Sequence, residues 1–411
     1  MSAMGTLALG QSAEAAARLD NFKDERFARL ERLRRSFQRG APAKYAPDPP
    51  TIAMGAAGAV SGITGSATPV ISAGASNIAT VGTLLYYNGT VYMGRHIDLV
   101  STPGAVDSTG KGWGQAVMTD SDQLEVKVHA ISGQLFRVNA RIDGEYYSDT
   151  DITLSGDNTA RHVLINFGSV KPSGRKVELF FNASAWIYGY NVTANRRVWL
   201  PSCAGEPLAL VYGDSYTDGI GSSNVRRTMV NACGSALGIS NMIASGAGGS
   251  GYINNGSSAK FITRIADISR FGPLDLLVIA GGINDTGQTQ VAVTAAATEF
   301  LTAVMVAQPT AIIVVCGPFR APAKTPSQSI SDGIKAAFNA VKDSSRMFFI
   351  DTFAENWQNG TGKIGAANGS GNSDFYIINL DGEHPSDDGH EYLGMRLADA
   401  VKAGVAALAA M

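Results

Sequence analysis

Two rhythms of apolar and polar residues divide the chain. From about Thr83 to Leu200 the period is two. "QLEVKVHAI" (123–131), "LFRVNARID" (135–143), "RHVLINFG" (161–168), "KVELFFNA" (176–183) and "AWIYGYNVT" (185–193) alternate in this way, with Gly, Asn, Asp and Ser between them. Short alternating strands at regular spacing predict a jelly-roll-like β-sandwich. "TLLYYNGTVYMGRHIDLV" (83–100) predicts a hairpin turning at Asn88-Gly89, a pair suited to a two-residue turn.

Past "PSCAGEP" (201–207) the rhythm changes. "PLALVYG", "NMIASG", "LDLLVIAG", "TAIIVVCG" and "RMFFID" are short unbroken apolar runs. Helical stretches are predicted at about 224–237, 258–270, 289–308, 329–343 and 386–409. Continuous apolar strands alternating with helices predict a parallel sheet covered on both faces, a three-layer α/β/α unit. In such sheets chemistry gathers at the carboxyl ends of the strands.

The N-terminal part follows a third pattern. In residues 12–39, Leu19, Phe22, Leu30, Leu33 and Phe37 form an apolar stripe among many charges, which predicts a helix with one solvated face. It is expected to lie against the body or a sister chain; the sharper reading is a homo-oligomerisation arm. A stiff linker, "GAPAKYAPDPP", follows. The predicted units are a helix and linker (1–50), a Gly/Ala/Ser-rich segment with the sandwich (51–203), and the α/β unit (204–411).

Composition narrows the functional classes. The chain has 411 residues, is 45% hydrophobic and 17% charged, and carries a net charge of −2. That suits a core-forming protein and gives no global field toward nucleic acid or an anionic membrane. The arginines of the N-terminal helix have no nucleic-acid motif among them. No apolar run is read as long enough for a membrane span. The first twenty residues lack the basic and apolar regions of a secretory leader, so a cytoplasmic, virion-associated or non-classically exported protein is expected. Three cysteines (Cys203, Cys233, Cys316) show no metal-ligand spacing, and neither metal nor cofactor is expected. A Cys203–Cys233 disulfide stays open as an alternative.

Three predicted strand ends carry unusual polar groups: "GDSYTDG" with Ser215, "SGAGGSGY", and "GGIND" with Asn284. Before the last helix comes "LDGEHPSDDGH", with Asp381 and His384 three residues apart. A serine hydroxyl needs a base to become a nucleophile. An Asp381–His384 pair on one loop would orient the imidazole toward Ser215. The developing oxyanion needs donors, for which the Ser215 N–H, a glycine N–H from 248–249 and the Asn284 amide are candidates. Asp214 is expected to cap or brace its turn, His390 to pack or cap, and Asp285 and Asp387 to be structural. Each piece alone has a purely structural reading; four in this order, each at a strand end or helix start, point to catalysis.

These four pieces, "GDSYTDG", the glycine turn, "GGIND" and "DGEHP", resemble the SGNH hydrolases, the GDSL-type esterases and lipases, over about residues 206–411. The resemblance implies a flavodoxin-like domain with Ser215 as nucleophile, His384 as base, Asp381 behind it, and Ser215, Gly249 and Asn284 as the oxyanion hole. Gly248 is the alternative to Gly249. "GDSY" stands where the family has "GDSL".

A sandwich before such a domain resembles carbohydrate esterase family two and related polysaccharide deacetylases, which implies O-acetyl removal from sugars. Trp113, Trp186, Trp199, Tyr86 and Tyr87 are expected chiefly in the sandwich core, with sugar stacking as the alternative. The expected partner is an acetylated carbohydrate. The competing readings are a general short-chain aryl, thio- or polyester esterase, and a non-catalytic carbohydrate-binding protein on a hydrolase scaffold. The N-terminal organisation also resembles phage tail proteins.

Overall fold

A computed structural model describes residues 25–40, 49–56, 63, 113–130, 133, 135–148, 150–181, 185–199, 205–223, 225–256, 259–269 and 271–411. The Asn88-Gly89 hairpin, Tyr86, Tyr87, Cys203, most of the linker and most of the Gly/Ala/Ser-rich segment lie outside them, as do the side chains of Trp113 and Trp186.

The alternating segments form two antiparallel sheets. One has the order β1 (Thr51–Met54), β7 (Ala160–Asn166), β3 (Gln123–Ala130), β9 (Ala185–Val192). The other runs β10 (Val198–Trp199), β2 (Trp113–Thr119), β8 (Arg175–Phe181), β4 (Leu135–Ile142), β5 (Glu145–Tyr146), with β6 (Ile152–Ser155) also on β4. Their inward positions make one core: Val126 and Val128 of β3, Ile165 of β7 and Tyr190 of β9 from the first sheet, and Phe136, Val138, Leu179 and Phe181 from the second. Two sheets sharing one apolar layer are a sandwich.

The unbroken apolar runs form a five-stranded parallel sheet: β11 (Leu208–Gly213), β12 (Asn241–Gly246), β13 (Leu276–Ala280), β14 (Ile312–Cys316) and β15 (Met347–Ile350). Its order is β12-β11-β13-β14-β15, the flavodoxin-like 2-1-3-4-5. Both faces are covered, which explains why the sequence shows no alternation here. Ala209 and Val211 of β11 belong to one core cluster and Leu210 and Tyr212 to the other. Helices α3 (Met229–Leu237) and α8 (Asp387–Ala409) supply the first face; α5 (Gln290–Ala307) and α6 (Gln328–Val341) supply the second. Among the described residues Cys233 and Cys316 are free, buried thiols.

One expectation is corrected. Helix α5 is long and apolar enough, by length and composition, to cross a membrane. Gln290, three threonines and Glu299 interrupt its apolar residues, so that no unbroken apolar run stands out in the sequence. In the fold, Val293, Ala297, Phe300, Leu301 and Val304 of α5 lie in the core cluster of the second face.

The N-terminal helix, α1 (25–39), is part of the α/β unit's packing. Leu30 and Leu33, 4% and 0% exposed, enter the first-face core. Arg29 donates to the Leu274 carbonyl, Arg32 pairs with Asp275, and Ser36 donates to the Leu237 and Gly238 carbonyls. Asp275 also accepts the Leu208 N–H, so α1 lies across the amino ends of the strands. The Leu30–Leu33 face is therefore used inside the chain and is not open to a sister chain. The sandwich docks nearby. Arg141 of β4 forms a buried pair with Glu178 of β8 and reaches Ser235 of α3. Tyr146 accepts from Asn231, and Lys176 from the sandwich donates to Ser240.

Candidate active site

Strand β11 ends at Gly213, and the chain folds back into a single helical turn, α2 (Ser215–Asp218). A Cβ at Gly213 would stand 2.1 Å from the Ala280 carbonyl oxygen and 2.3 Å from Thr217 Oγ1, so this fold-back requires glycine. Asp214 caps the turn, with Oδ1 accepting the Tyr216 N–H at 3.0 Å. Ser215 is thereby held, 2% exposed, at the carboxyl end of β11. The strand order reverses there between β12 and β13, where open α/β sheets place their ligands.

The His loop reaches this point from the far end of the sequence. His384 Nε2 lies 2.8 Å from Ser215 Oγ, and His384 Nδ1 lies 2.6 Å from Asp381 Oδ2. The other carboxylate oxygen of Asp381 accepts the N–H groups of Glu383 and His384 at 2.8 and 3.0 Å. Burial raises the Asp381 pKa, but the Glu383 N–H and both bonds from His384 outweigh it, and the net shift is downward. An ionised Asp381 facing Nδ1 needs the ring proton there, which leaves the Nε2 lone pair for the serine hydroxyl. The loop is braced by the Tyr216 hydroxyl, which donates to the Glu383 carbonyl at 2.7 Å, and by the Ile378 N–H, which donates to the His384 carbonyl at 2.9 Å.

The donor side comes from the ends of β12 and β13. Asn284 lies in a short 3-10 turn, Ile283–Asp285, and is 2% exposed. Its Nδ2 donates to the Ser250 carbonyl at 2.9 Å, and its Oδ1 accepts from Lys324 Nζ at 2.5 Å. Its backbone carbonyl accepts from the Asn254 side chain. Asp285 organises the glycine loop by accepting the N–H groups of Tyr252, Ile253 and Asn254 at 2.8, 3.0 and 3.1 Å. Burial raises its pKa against the pull of those three N–H groups. Gly249 has φ 74°, a left-handed conformation that favours glycine. At Gly248 a Cβ would only touch Ile220 Cδ1, at 3.4 Å.

Asp214 is fully buried, and its Oδ2 has no hydrogen-bond partner. Burial pushes its carboxyl up to about 7; the Tyr216 N–H and Lys324 oppose the rise, and Glu383 and Asp285 add to it.

The fold thus brings Ser215, His384, Asp381, Asn284 and the glycine loop to one rim of the sheet. His390 stands apart and is fully buried. It accepts the Met229 N–H at Nδ1 and donates from Nε2 to the Ile220 carbonyl. Asp387 accepts the Ser223 N–H and pairs with Arg227. Trp199 packs its ring over Gly174, with the Arg197 guanidinium 5.3 Å away. Among the described residues no group of three His, Cys, Asp or Glu is arranged for a metal ion. Sequence reasoning missed Lys324 and Asn254. Neither lies in a motif; the only available signal for Lys324 was its place in the loop after β14, at the chemical end of the sheet.

Residues 211–392 match the model of the GDSL-like lipase/acylhydrolase family. This match supports an SGNH hydrolase domain over this part of the chain, and with it an ester hydrolase. Three solved structures share its fold. The salicylyl-acyltransferase SsfX3 of a tetracycline biosynthetic pathway has 17% identity and a TM-score of 0.56, covering 90% of this chain and 98% of its own. An active-site mutant of a family two carbohydrate esterase from Clostridium thermocellum has 15% identity and a TM-score of 0.52, covering 77% and 98%. The acetyl xylan esterase Est2A from the rumen bacterium Butyrivibrio proteoclasticus has 13% identity and a TM-score of 0.51, covering 87% and 99%. No curated protein sequence matches the chain.

Proposed function

We propose that the protein is a serine esterase that removes short acyl groups, O-acetyl foremost, from carbohydrate. The observation that carries the reading is the continuous Ser215–His384–Asp381 hydrogen-bond chain, 2.8 and 2.6 Å long. In this reading Ser215 Oγ attacks the ester carbonyl while His384 Nε2 takes its proton. Asp381 holds the ring and stabilises the imidazolium. The N–H groups of Ser215 and Gly249 and the Asn284 amide receive the oxyanion. The sugar alcohol leaves with the proton from His384, and a water, activated by the same imidazole, releases the acid and frees Ser215.

The carbohydrate assignment is supported by architecture. A sandwich precedes the hydrolase domain, as the family two and acetyl xylan esterases that share the fold cover most of this chain. The test is acetate release from a panel of acetylated xylan, cellulose and simple p-nitrophenyl esters, with Ser215→Ala as blank. Acetate from a glycan, lost in Ser215→Ala, is the expected result. Hydrolysis persisting in Ser215→Ala at the wild-type rate would remove the nucleophile, and turnover of aryl esters alone would remove the glycan.

A second reading is acyl transfer to an alcohol in place of water, favoured by the 90% coverage of this chain by an acyltransferase fold. Partition of the acyl group between free acid and a supplied alcohol separates the two readings.

A further inference from the structure

The side-chain amide of Asn284 is held at both ends. The Ser250 carbonyl can only accept and takes one Nδ2 proton; the Lys324 ammonium can only donate and faces Oδ1. Turning the amide over would set its NH2 against an ammonium and its oxygen against a carbonyl. In the observed orientation one Nδ2 proton is committed to Ser250 and the other is left for a ligand. The Lys324 side chain is 31% exposed, and its ammonium also lies 3.3 Å from Glu383 Oε1, beside the His loop. A charge-assisted bond to Oδ1 withdraws electron density through the amide and strengthens its remaining N–H as a donor.

We propose that Lys324 is the positioning residue of the oxyanion hole, fixing and polarising the Asn284 amide so that its free N–H meets the charge that develops on the substrate oxygen. The proposal rests on the reading of Ser215 as nucleophile and adds a member that acts through Asn284. The interaction strengthens as the carbonyl becomes an oxyanion, so it belongs to the transition state and not to substrate binding.

The test is a double-mutant cycle on p-nitrophenyl acetate, with the acylation rate from the stopped-flow burst and KM from steady state. Asn284→Ala is expected to slow acylation about 10²–10³-fold, as for other oxyanion-hole donors. Lys324→Met should slow it about tenfold or more with KM within about twofold, and Lys324→Arg, which keeps the cation, should recover most of the rate. In the Asn284→Ala background, Lys324→Met should cost less than about twofold, because its effect runs through the missing amide. Lys324→Gln serves in the same cycle if the Met variant melts early. An equal cost in both backgrounds overturns the proposal, as does an Arg variant no better than Met, or an acylation rate within twofold of wild type in Lys324→Met. Ser215→Ala run in parallel separates the failures. Activity retained there sinks the nucleophile and the proposal together; activity lost there beside a silent Lys324→Met sinks the lysine alone.

Discussion

Asp214→Asn isolates what it costs to bury a carboxyl group beside Ser215. The wild-type group titrates at about 7 in the fold and near 3.9 in an unfolded chain. Between those values the folded state holds more protons than the unfolded one. Stability therefore falls as pH rises through this window and levels off above about 7, once both states are ionised. The full loss is about 4 kcal/mol at 1.36 kcal/mol per pKa unit. Between pH 5 and pH 8, allowing for partial ionisation at both ends, it is about 2–3 kcal/mol. An asparagine keeps the acceptor for the Tyr216 N–H and does not titrate. The stability difference between Asp214→Asn and wild type should therefore be about 2–3 kcal/mol more favourable to the variant at pH 8 than at pH 5. Urea unfolding of both proteins at the two pH values measures it, with every other titrating group cancelling. A difference that changes by less than about 0.5 kcal/mol, or with the opposite sign, would refute the account of a proton held at Asp214.

Further outcomes follow from packing and polar satisfaction. Leu33→Ala removes a fully buried side chain from the helix under the sheet and should cost about 2–5 kcal/mol in denaturant unfolding. Because α1 lies at the amino ends of the strands, kcat/KM of the folded fraction should be unchanged; a large drop would place α1 in contact with the site. Asp285→Ala leaves three N–H groups of the glycine loop without their acceptor, about 1–3 kcal/mol for each group left unsatisfied. Its ester turnover should fall at least tenfold; a variant of full activity would show that the loop holds its shape without the carboxylate.

Much of the fold was legible because local patterns dictated it. Runs such as "LALVYG" and "AIIVVC" show no polar alternation because each strand is covered twice, and the helices between them keep a 3.6-residue stripe. The α/β core and the antiparallel strands of the sandwich follow from those periods. Ser215 and Asn284, placed at strand ends by the motifs, come together because a parallel sheet gathers the carboxyl ends of its strands at one rim, and the loop before the last helix brings His384 to Ser215. Contacts with no local signature stayed hidden. The stripe in "FKDERFARLERLRRSFQRG" sets Leu30 and Leu33 on a face expected against the body or a sister chain, but nothing in it names the sheet that begins at Leu208 as the surface they cover. Lys324 is one lysine between two prolines, and its partner amide lies on another strand's exit. The apolar length of α5 was missed because Gln290, Glu299 and three threonines break its run; in the fold threonines such as Thr298 satisfy their hydroxyls on carbonyls of their own helix.

Helix α1 leaves the ribosome before the sandwich and long before the sheet it supports. During synthesis its leucines have no surface to cover, and the sheet's floor stays unfinished until the last strands emerge. The sandwich is in this sense an insertion between two pieces of one folding unit. A fragment cut at the apparent boundary near residue 204 would lose the guanidinium partners of Asp275 and uncover the turn after Leu237. Such a fragment would expose a sticky underside to proteases and to its own copies while Ser215, Asn284, Asp381 and His384 were all still present in its chain.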